Sequence, residues 1–138
     1  MSKITLGILG GGQLGSMLSI AAKKLNVNTI IYCDDQDAPA QKFCDKFIYA
    51  KYDDRNEIQN FAQNVDVITY EFENIPFETL NELNKLKTVL PKPSVNRLIQ
   101  HRLAEKDFIN KLNIRTTRYV SIEKKSDLDS LEDFLPGI

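Results

Sequence analysis

The sequence contains few of the residues that mark a disulfide-bonded, metal-binding or histidine-dependent protein. It has two cysteines, Cys33 and Cys44, which form no C-x-x-C pair and are too few in 138 residues for a disulfide framework. We expect both to be reduced thiols that pack as small apolar residues. The single histidine, His101, has no metal-ligand or triad partner along the chain, and we interpret it as a surface residue of a helix.

Charge and hydropathy also exclude several classes of partner. The formal net charge is −1, so no basic excess points to nucleic acid. The apolar run 4–9 is too short for a signal peptide, and no run approaches the roughly 20 apolar residues of a membrane span. We therefore expect a cytoplasmic protein with no nucleic-acid or membrane partner. Phosphorylated small molecules stay possible ligands, because helix ends bind them without net positive charge.

Strands and helices are predicted to alternate along residues 4–90. The run 4–9 ends in three consecutive glycines, a pattern typical of a buried strand that leads into a tight turn. The next segment has helical spacing, and its predicted apolar face comprises Leu14, Met17, Leu18, Ala21 and Leu25. Runs of β-branched and aromatic residues predict further strands at 29–33, 47–50, 65–70 and 89–90.

Two further helices are predicted between these strands. Asp54 and Glu57 form a capping-box pair ahead of apolar residues that share one helical face. Pro76 is well placed as the first residue of the next helix. This alternation predicts an α/β fold, with a Rossmann-like parallel sheet, helices on both faces and right-handed crossovers.

Prolines interrupt the alternation at Lys92-Pro93-Ser94, where we place a boundary between domains 1–92 and 93–138. Ser94 is predicted to cap a helix that continues to about residue 112. An extended segment at 115–121 and a short helix at 126–134, opening with a capping-box pattern, are predicted to follow. This second part has too little apolar content for a core of its own. It should pack on the first domain or on polypeptide outside these residues.

The hexapeptide Gly10-Gly11-Gly12-Gln13-Leu14-Gly15 matches G-x-G-x-x-G between a predicted strand and a predicted helix. Glycines let the backbone approach a ligand closely, and the helix N-terminus offers amides and a positive dipole. Asp34, at the end of the second strand, takes the place of the acid that binds ribose in dinucleotide folds. These features alone favour an NAD-binding module of an oxidoreductase. The alternative is a glycine turn required only for packing.

Acidic residues follow the fourth strand in Tyr70-Glu71-Phe72-Glu73-Asn74. We expect an extended segment here, from which one of the two carboxylates, Glu71 or Glu73, enters the crevice at the carboxyl ends of the strands while the other faces away. An acid there suits an amine or hydroxyl donor and would repel a pyrophosphate. A solvated loop pair is the alternative. From composition alone, Arg102, Glu105 and Lys106 are predicted to form a solvated helix face.

Taken together, these stretches resemble one family, the 5-(carboxyamino)imidazole ribonucleotide synthases, which are ATP-grasp ligases of de novo purine synthesis. The resemblance covers essentially the whole chain, and Tyr-Glu-Phe-Glu-Asn is its most specific part. The matching stretches, in the family's order and spacing, are the glycine hexapeptide, Asp37-Ala38-Pro39-Ala40, Tyr52-Asp53-Asp54, Thr69 to Asn74, and Arg102-Leu103-Ala104-Glu105-Lys106.

The resemblance implies a preATP-grasp domain, followed by a helical linker into an incomplete ATP-grasp domain. It also implies that ATP phosphorylates bicarbonate to carboxyphosphate. The exocyclic amine of 5-aminoimidazole ribonucleotide then attacks the carboxyl carbon, or the CO2 released from it, to give the carbamate with ADP and phosphate. Mg2+ would bridge ATP oxygens. The expected partners are these small molecules and a second copy of the chain in a homodimer.

Individual residues receive roles from the same resemblance. It places Gly12, Gln13 and Leu14 against the ribonucleotide, with Glu73 at its amine or ribose, and Arg102 at an ATP phosphate. The resemblance therefore replaces the prediction that Arg102 belongs to a solvated helix face. It also assigns Asp34 no role in binding ribose.

The resemblance further implies that the catalytic and metal-binding residues lie beyond this segment. The family's ATP-binding lysine, glycine-rich lid and magnesium carboxylates come later in a longer chain. We therefore expect no catalytic residue and no metal ligand here, and no turnover by this segment alone. A third hypothesis is a non-catalytic domain that pairs with another subunit through exposed helix faces.

Overall fold

A computed structural model describes residues 3–131 of the protein. Short helical turns of the 3-10 type cover Pro39–Lys42 and Lys125–Leu131. The strands are β1 (Thr5–Leu9), β2 (Asn28–Cys33), β3 (Lys46–Tyr49) and β4 (Val67–Tyr70). The helices are α1 (Gln13–Lys24), α2 (Arg55–Gln63), α3 (Phe77–Leu86), α4 (Pro93–Ile99) and α5 (Arg102–Lys111).

The strands form one parallel four-stranded sheet in the order β3-β2-β1-β4. Strand β1 pairs with β2 on one side and with β4 on the other. After β1 the chain adds β2 and β3 on one side and then adds β4 on the other side of β1. This change of direction creates a switch point beyond the carboxyl ends of β1 and β4. The strand predicted at 89–90 is reduced to a single parallel bridge between Val89 and Ile68.

Each face of the sheet has its own hydrophobic core, as expected for a parallel sheet covered on both sides. Leu9 and Tyr32 point toward α2 and α3, where they meet the buried side chains of Phe61 and Leu80. Their neighbours along the strands point the other way, into a smaller cluster of Ile8, Ile31, Cys33, Ala38 and Ala40. The α/β fold with helices on both faces is confirmed.

Helix α1 buries a different face from the predicted one. Its buried residues are small: Gly15, Ser16, Ser19 and Ala22. A Cβ added to Gly15 would lie 2.8 Å from the carbonyl oxygen of Gly10, so only small residues permit this close approach to the preceding turn. The predicted apolar face is left exposed instead, from 37% at Leu18 to 77% at Leu25. Helical spacing identified the helix correctly and its buried side wrongly.

The protein comprises two compact units, Met1–Gln100 and His101–Ile138. Helix α4 belongs to the first unit and packs on α3. Its N-cap is Lys92 with Pro93 in the first turn, so the prediction that Ser94 caps it is wrong. The assignment of 93–138 to a linker and the start of an ATP-grasp domain stays a prediction.

The continuous helix predicted from Ser94 to about residue 112 is also wrong. Helix α4 ends at Ile99, and α5 begins at Arg102. Between them His101 has extended backbone, and its Nδ1 accepts a hydrogen bond from the Ala104 amide at 3.4 Å. His101 is therefore the N-cap of α5 rather than a residue within a helix.

In the second unit α5 has no buried residue. Polar contacts join it to the segment that follows: the Tyr119 hydroxyl donates to Asp107 Oδ1 at 2.6 Å, and Lys106 Nζ donates to Thr117 Oγ1 at 3.0 Å. The predicted helix 126–134 is a 3-10 helix over Lys125–Leu131, and its remainder lies outside the described residues. Asp127 Oδ2 accepts hydrogen bonds from the amides of Glu123 and Lys124 at 3.0 and 3.1 Å.

Candidate functional site

The candidate site lies at the switch point, where two loops leave the same edge of the sheet. Strand β1 runs into Gly10-Gly11-Gly12, and its neighbour β4 runs into 71–75. The Glu71 amide donates to the Leu9 carbonyl at 3.1 Å, which continues the ladder one residue past β4. The glycine loop (residues 10–12) and the acidic segment (residues 71–75) therefore lie side by side.

The Glu71 carboxylate is packed into the glycine loop. Its Oε1 accepts a hydrogen bond from the Gly12 amide at 3.0 Å. Gly10 has φ of 102°, and a Cβ added to it would lie 2.7 Å from the same oxygen. Glycine is required at Gly10 both for this backbone conformation and for the approach of the carboxylate. Glu71 thus occupies an amide that a phosphate would otherwise bind.

Gln13 and Leu14 begin helix α1 directly after this loop, and both are exposed. Gly12 is the N-cap and contributes no capping side chain. Because the first amides of a helix have no partner within the helix, this turn can offer N–H groups to a ligand. The predicted contacts, the Gln13 side chain and the Leu14 backbone, are therefore accessible at this edge.

Glu73 lies in a turn, and its side chain is exposed. The turn is closed by the Ile75 amide, which donates to the Phe72 carbonyl at 3.3 Å. The expectation of an extended segment is thus wrong: Glu71 continues the strand direction into the glycine loop, whereas the chain turns at Glu73. The carboxylate that enters the loop is that of Glu71.

Two amide side chains, those of Asn96 in α4 and of its C-cap Gln100, hold the acidic segment from the other side. Gln100 Nε2 donates to the carbonyls of Glu73 at 2.7 Å and Ile75 at 2.8 Å. Asn96 Nδ2 lies 3.2 Å and 3.4 Å from the same two oxygens. Sequence reasoning missed both residues. Their spacing of i and i+4 on one helix is the only signal that could have joined them.

Two other motifs have structural roles, one at the glycine loop and one at the start of α2. The Ala40 amide donates to the Gly11 carbonyl at 3.0 Å, so the stretch Asp37-Ala38-Pro39-Ala40 fixes the glycine loop from outside. Asp54 accepts hydrogen bonds from the amides of Asn56 and Glu57 at 3.1 Å, which confirms it as the N-cap of α2.

The edge has a negative electrostatic character that reaches the buried Tyr52. Burial is the main cause that raises the pKa of the Tyr52 hydroxyl above the ordinary tyrosine value. The neighbouring Cys33, Asp34 and Glu71 raise this pKa further. Asp34 itself is exposed directly after β2. A ligand group that donates hydrogen bonds suits such an edge better than a phosphate.

Arg102 belongs to the second unit. It is the first residue of α5, with its side chain 76% exposed, and its Nη1 lies 2.9 Å from Glu105 Oε2. Its partner Glu105 is less accessible, with 26% of its side chain exposed. The structure therefore brings Gly12, Gln13, Leu14 and Glu73 to one edge of the first unit, while Arg102 lies in the other unit.

No helix among residues 3–131 combines the length and the apolar character needed to cross a bilayer. Within the same residues, no group of three or more His, Cys, Asp or Glu side chains is placed to hold a metal ion.

Comparisons with known proteins agree with this architecture. Residues 1–100 match the family model of the ribonucleotide synthetase preATP-grasp domain. The bifunctional purine synthesis protein purC/E of Dictyostelium discoideum is 42% identical over 126 residues, which are 91% of this chain and 13% of that protein. The chain thus spans a small part of this much longer relative.

Solved structures show the same likeness. The N5-carboxyaminoimidazole synthetase of Staphylococcus aureus, complexed with ADP, has a TM-score of 0.86 and 33% identity, over 97% of this chain and 36% of that chain. The N5-carboxyaminoimidazole synthase of Aspergillus clavatus, in complex with ADP and 5-aminoimidazole ribonucleotide, has a TM-score of 0.80 and 26% identity, over 97% and 36%. The chain therefore belongs to the ribonucleotide synthetase family that carries the preATP-grasp domain.

Proposed function

We propose that this chain is the ribonucleotide-binding part of an N5-carboxyaminoimidazole ribonucleotide synthase. The observation that carries the proposal is the pairing of the two loops at the switch point. Glu71 fills the glycine loop, while Glu73 projects an exposed carboxylate from a segment held on both sides. The Aspergillus clavatus relative, described in complex with 5-aminoimidazole ribonucleotide, supports this choice of ligand.

The chemistry of the site matches an aminoimidazole ribonucleoside better than a dinucleotide. Glu73 is an acceptor, and the exocyclic amine and ribose hydroxyls of the ligand are donors. The Gln13 side chain and the Leu14 amide provide further polar groups at the start of α1. Because Glu71 already takes the Gly12 amide, the ligand phosphate would be bound away from the glycine loop.

The reaction of the whole enzyme follows from this assignment. ATP transfers its γ-phosphoryl group to bicarbonate, which gives carboxyphosphate and ADP. The exocyclic amine forms a C–N bond to the carboxyl carbon, directly or after CO2 is released, and phosphate leaves. We assign no catalytic side chain within these residues, because the groups placed here orient the amine rather than form bonds.

ATP and Mg2+ complete the proposal. Arg102, exposed at the N-terminus of α5, is proposed to contact an ATP phosphate. When bound, Mg2+ would neutralise phosphate charge, and we assign it no ligand among the described residues. A homodimer and a cytoplasmic location are part of the same proposal and derive from the resemblance alone.

Calorimetric titration of the chain with 5-aminoimidazole ribonucleotide tests the proposal. We expect saturable binding that Glu73→Gln weakens at least about tenfold, since the neutral amide is a poorer acceptor than the charged carboxylate. Glu78→Gln, an exposed glutamate at the start of α3, is the matched control and should bind as the wild type does.

Two results would contradict the proposal. One is saturable binding of NAD that Asp34→Ala abolishes, which would favour the dinucleotide module. The other is the absence of any saturable heat with the ribonucleotide at millimolar concentration. Bicarbonate-dependent release of ADP by the 138 residues alone would instead overturn the proposal that these residues contain no catalytic side chain.

A further inference from the structure

The acidic segment is attached to the rest of the first unit at two places. At its start, the Glu71 carboxylate is bonded to the glycine loop. Further along, the carbonyls of Glu73 and Ile75 accept hydrogen bonds from the side-chain amides of Asn96 and Gln100, which we call the amide clamp. Within the turn itself the closing hydrogen bond is long, at 3.3 Å.

The geometry of Gln100 is unusual for an exposed side chain. A primary amide has two N–H groups. Gln100 Nε2 lies 2.7 Å from the carbonyl oxygen of Glu73 and 2.8 Å from that of Ile75. Both distances are short for N–H···O hydrogen bonds. Gln100 gives up side-chain freedom in making them, although it is exposed and buries no core surface.

Asn96 and Gln100 differ in what else they do. Asn96 is completely buried, as is Ile75, so both also belong to the packing between α3, α4 and the segment. Gln100 lies at the surface, and its described side-chain hydrogen bonds end on backbone oxygens of the segment. It can therefore be changed without opening a cavity.

These contacts act on the direction in which Glu73 points. The Glu73 carbonyl is covalently linked to the Cα that carries the carboxylate, so fixing that carbonyl limits rotation of the peptide between Glu73 and Asn74. Displacement of a binding group by about 1 Å is enough to cost a large factor in a positioned interaction. When the clamp is removed, the closing hydrogen bond of the turn remains, and it is long.

We propose that Gln100 is a positioning residue for the ribonucleotide: it acts through the backbone of Glu73 to aim that carboxylate at the ligand, without touching the ligand itself. This inference rests on the proposed function for the identity of the ligand. The clamp itself depends only on the contacts with Glu73 and Ile75.

Three variants test it. Gln100→Met has similar length and no N–H group, so it removes the clamp bonds of this residue. Gln100→Lys restores an N–H donor. Gln59→Met, an exposed glutamine on α2, is the matched control. Hydrogen exchange of the peptide covering 72–76, followed by mass spectrometry, reports the clamp without ligand, and calorimetry with 5-aminoimidazole ribonucleotide reports its effect on binding.

We expect Gln100→Met to leave the melting temperature unchanged, to accelerate exchange at 72–76, and to weaken ribonucleotide binding about fivefold. Gln100→Lys should recover part of both losses, and Gln59→Met should change neither. In a Glu73→Gln background, Gln100→Met should cost little further affinity, because the group that it aims is already disabled. A general structural defect would weaken both backgrounds equally.

The outcomes separate the two proposals. Unchanged exchange at 72–76 in Gln100→Met refutes the clamp, whatever the ligand. Accelerated exchange with unchanged ribonucleotide affinity refutes the positioning role, as does an equal loss in the wild-type and Glu73→Gln backgrounds. If the wild type binds no ribonucleotide while exchange still accelerates, the proposed function and the positioning role fail together, and the clamp remains only a determinant of loop order.

Discussion

The two compact units hold their candidate binding residues by different means. In the first unit the loops at the switch point are attached to a sheet with a core on each face, and Glu71, Asn96 and Gln100 bond directly to loop backbone. In the second unit α5 buries no residue and is joined to its neighbour by exposed polar side chains. The first unit can fix a ligand-binding geometry by itself, whereas Arg102 is offered from a weakly packed helix.

The largest expected contrast is in the cost of removing an aromatic ring from each unit. Phe61 on α2 is completely buried, whereas Phe108 on α5 is 45% exposed. Phe61→Ala should lower the free energy of unfolding by about 3–5 kcal/mol, because it leaves a cavity in a packed core. Phe108→Ala should cost less than about 1 kcal/mol. Urea denaturation followed by far-UV circular dichroism measures both.

Equal losses in these two variants would break the comparison. They would mean that α5 contributes as much packing as α2 does and that the second unit is not weakly held. Ile58→Val, in the same core as Phe61, provides a mild control, expected to cost about 1 kcal/mol.

A second prediction compares one residue of positive φ from each unit. Gly10 has φ of 102° and faces the Glu71 carboxylate, and Asn113, after α5, has φ of 59°. Gly10→Ala should cost about 2 kcal/mol or more, since it adds both strain and a collision with Glu71. Asn113→Ala should cost about 1 kcal/mol, the conformational part alone.

The double variant Gly10→Ala/Glu71→Ala isolates the collision. It should recover part of the loss seen in Gly10→Ala, because the added methyl group then has room. Additive losses in unfolding free energy would show that the carboxylate yields without cost and that it does not fix the glycine loop.

Much of the first unit could be predicted from sequence because its signals are local. The β-branched run of β2 and the glycines after β1 mark where strands stop, and Asp54 lies where an N-cap is expected. The buried face of α1 could not be predicted in this way. It depends on how closely the helix approaches the turn at Gly10, and small residues such as Ser19 carry no hydrophobic signal.

The other failures have two origins, a local cap that the sequence does not reveal and contacts between residues far apart in the chain. The break at His101 lacks glycine and proline, so helical spacing continues through it, and a ring nitrogen acts as the cap. The contact between Glu71 and Gly12 joins residues 59 positions apart, and that between Gln100 and Glu73 spans 27. No spacing rule connects such residues. The predicted edge is therefore observed, while the roles of Gln13, Leu14, Glu73 and Arg102 remain predictions.

The smallest expected effect is a dependence of stability on alkaline pH that arises in the first unit. Burial raises the pKa of the Tyr52 hydroxyl above the ordinary value, and Cys33 and Asp34 add to it. Because the folded pKa exceeds the unfolded one, the stabilisation is complete below about pH 10 and is lost as the pH rises further. Near pH 11 the loss should be about 1 kcal/mol for this tyrosine. Tyr52→Phe should remove that part of the slope, measured as unfolding free energy between pH 9 and 11. Tyr119→Phe in the second unit should leave most of it: the hydrogen bond to Asp107 also raises the pKa of Tyr119, but that bond lies at the surface, where solvent screens its effect. A slope that disappears in Tyr119→Phe and persists in Tyr52→Phe would reverse the ranking of the two units.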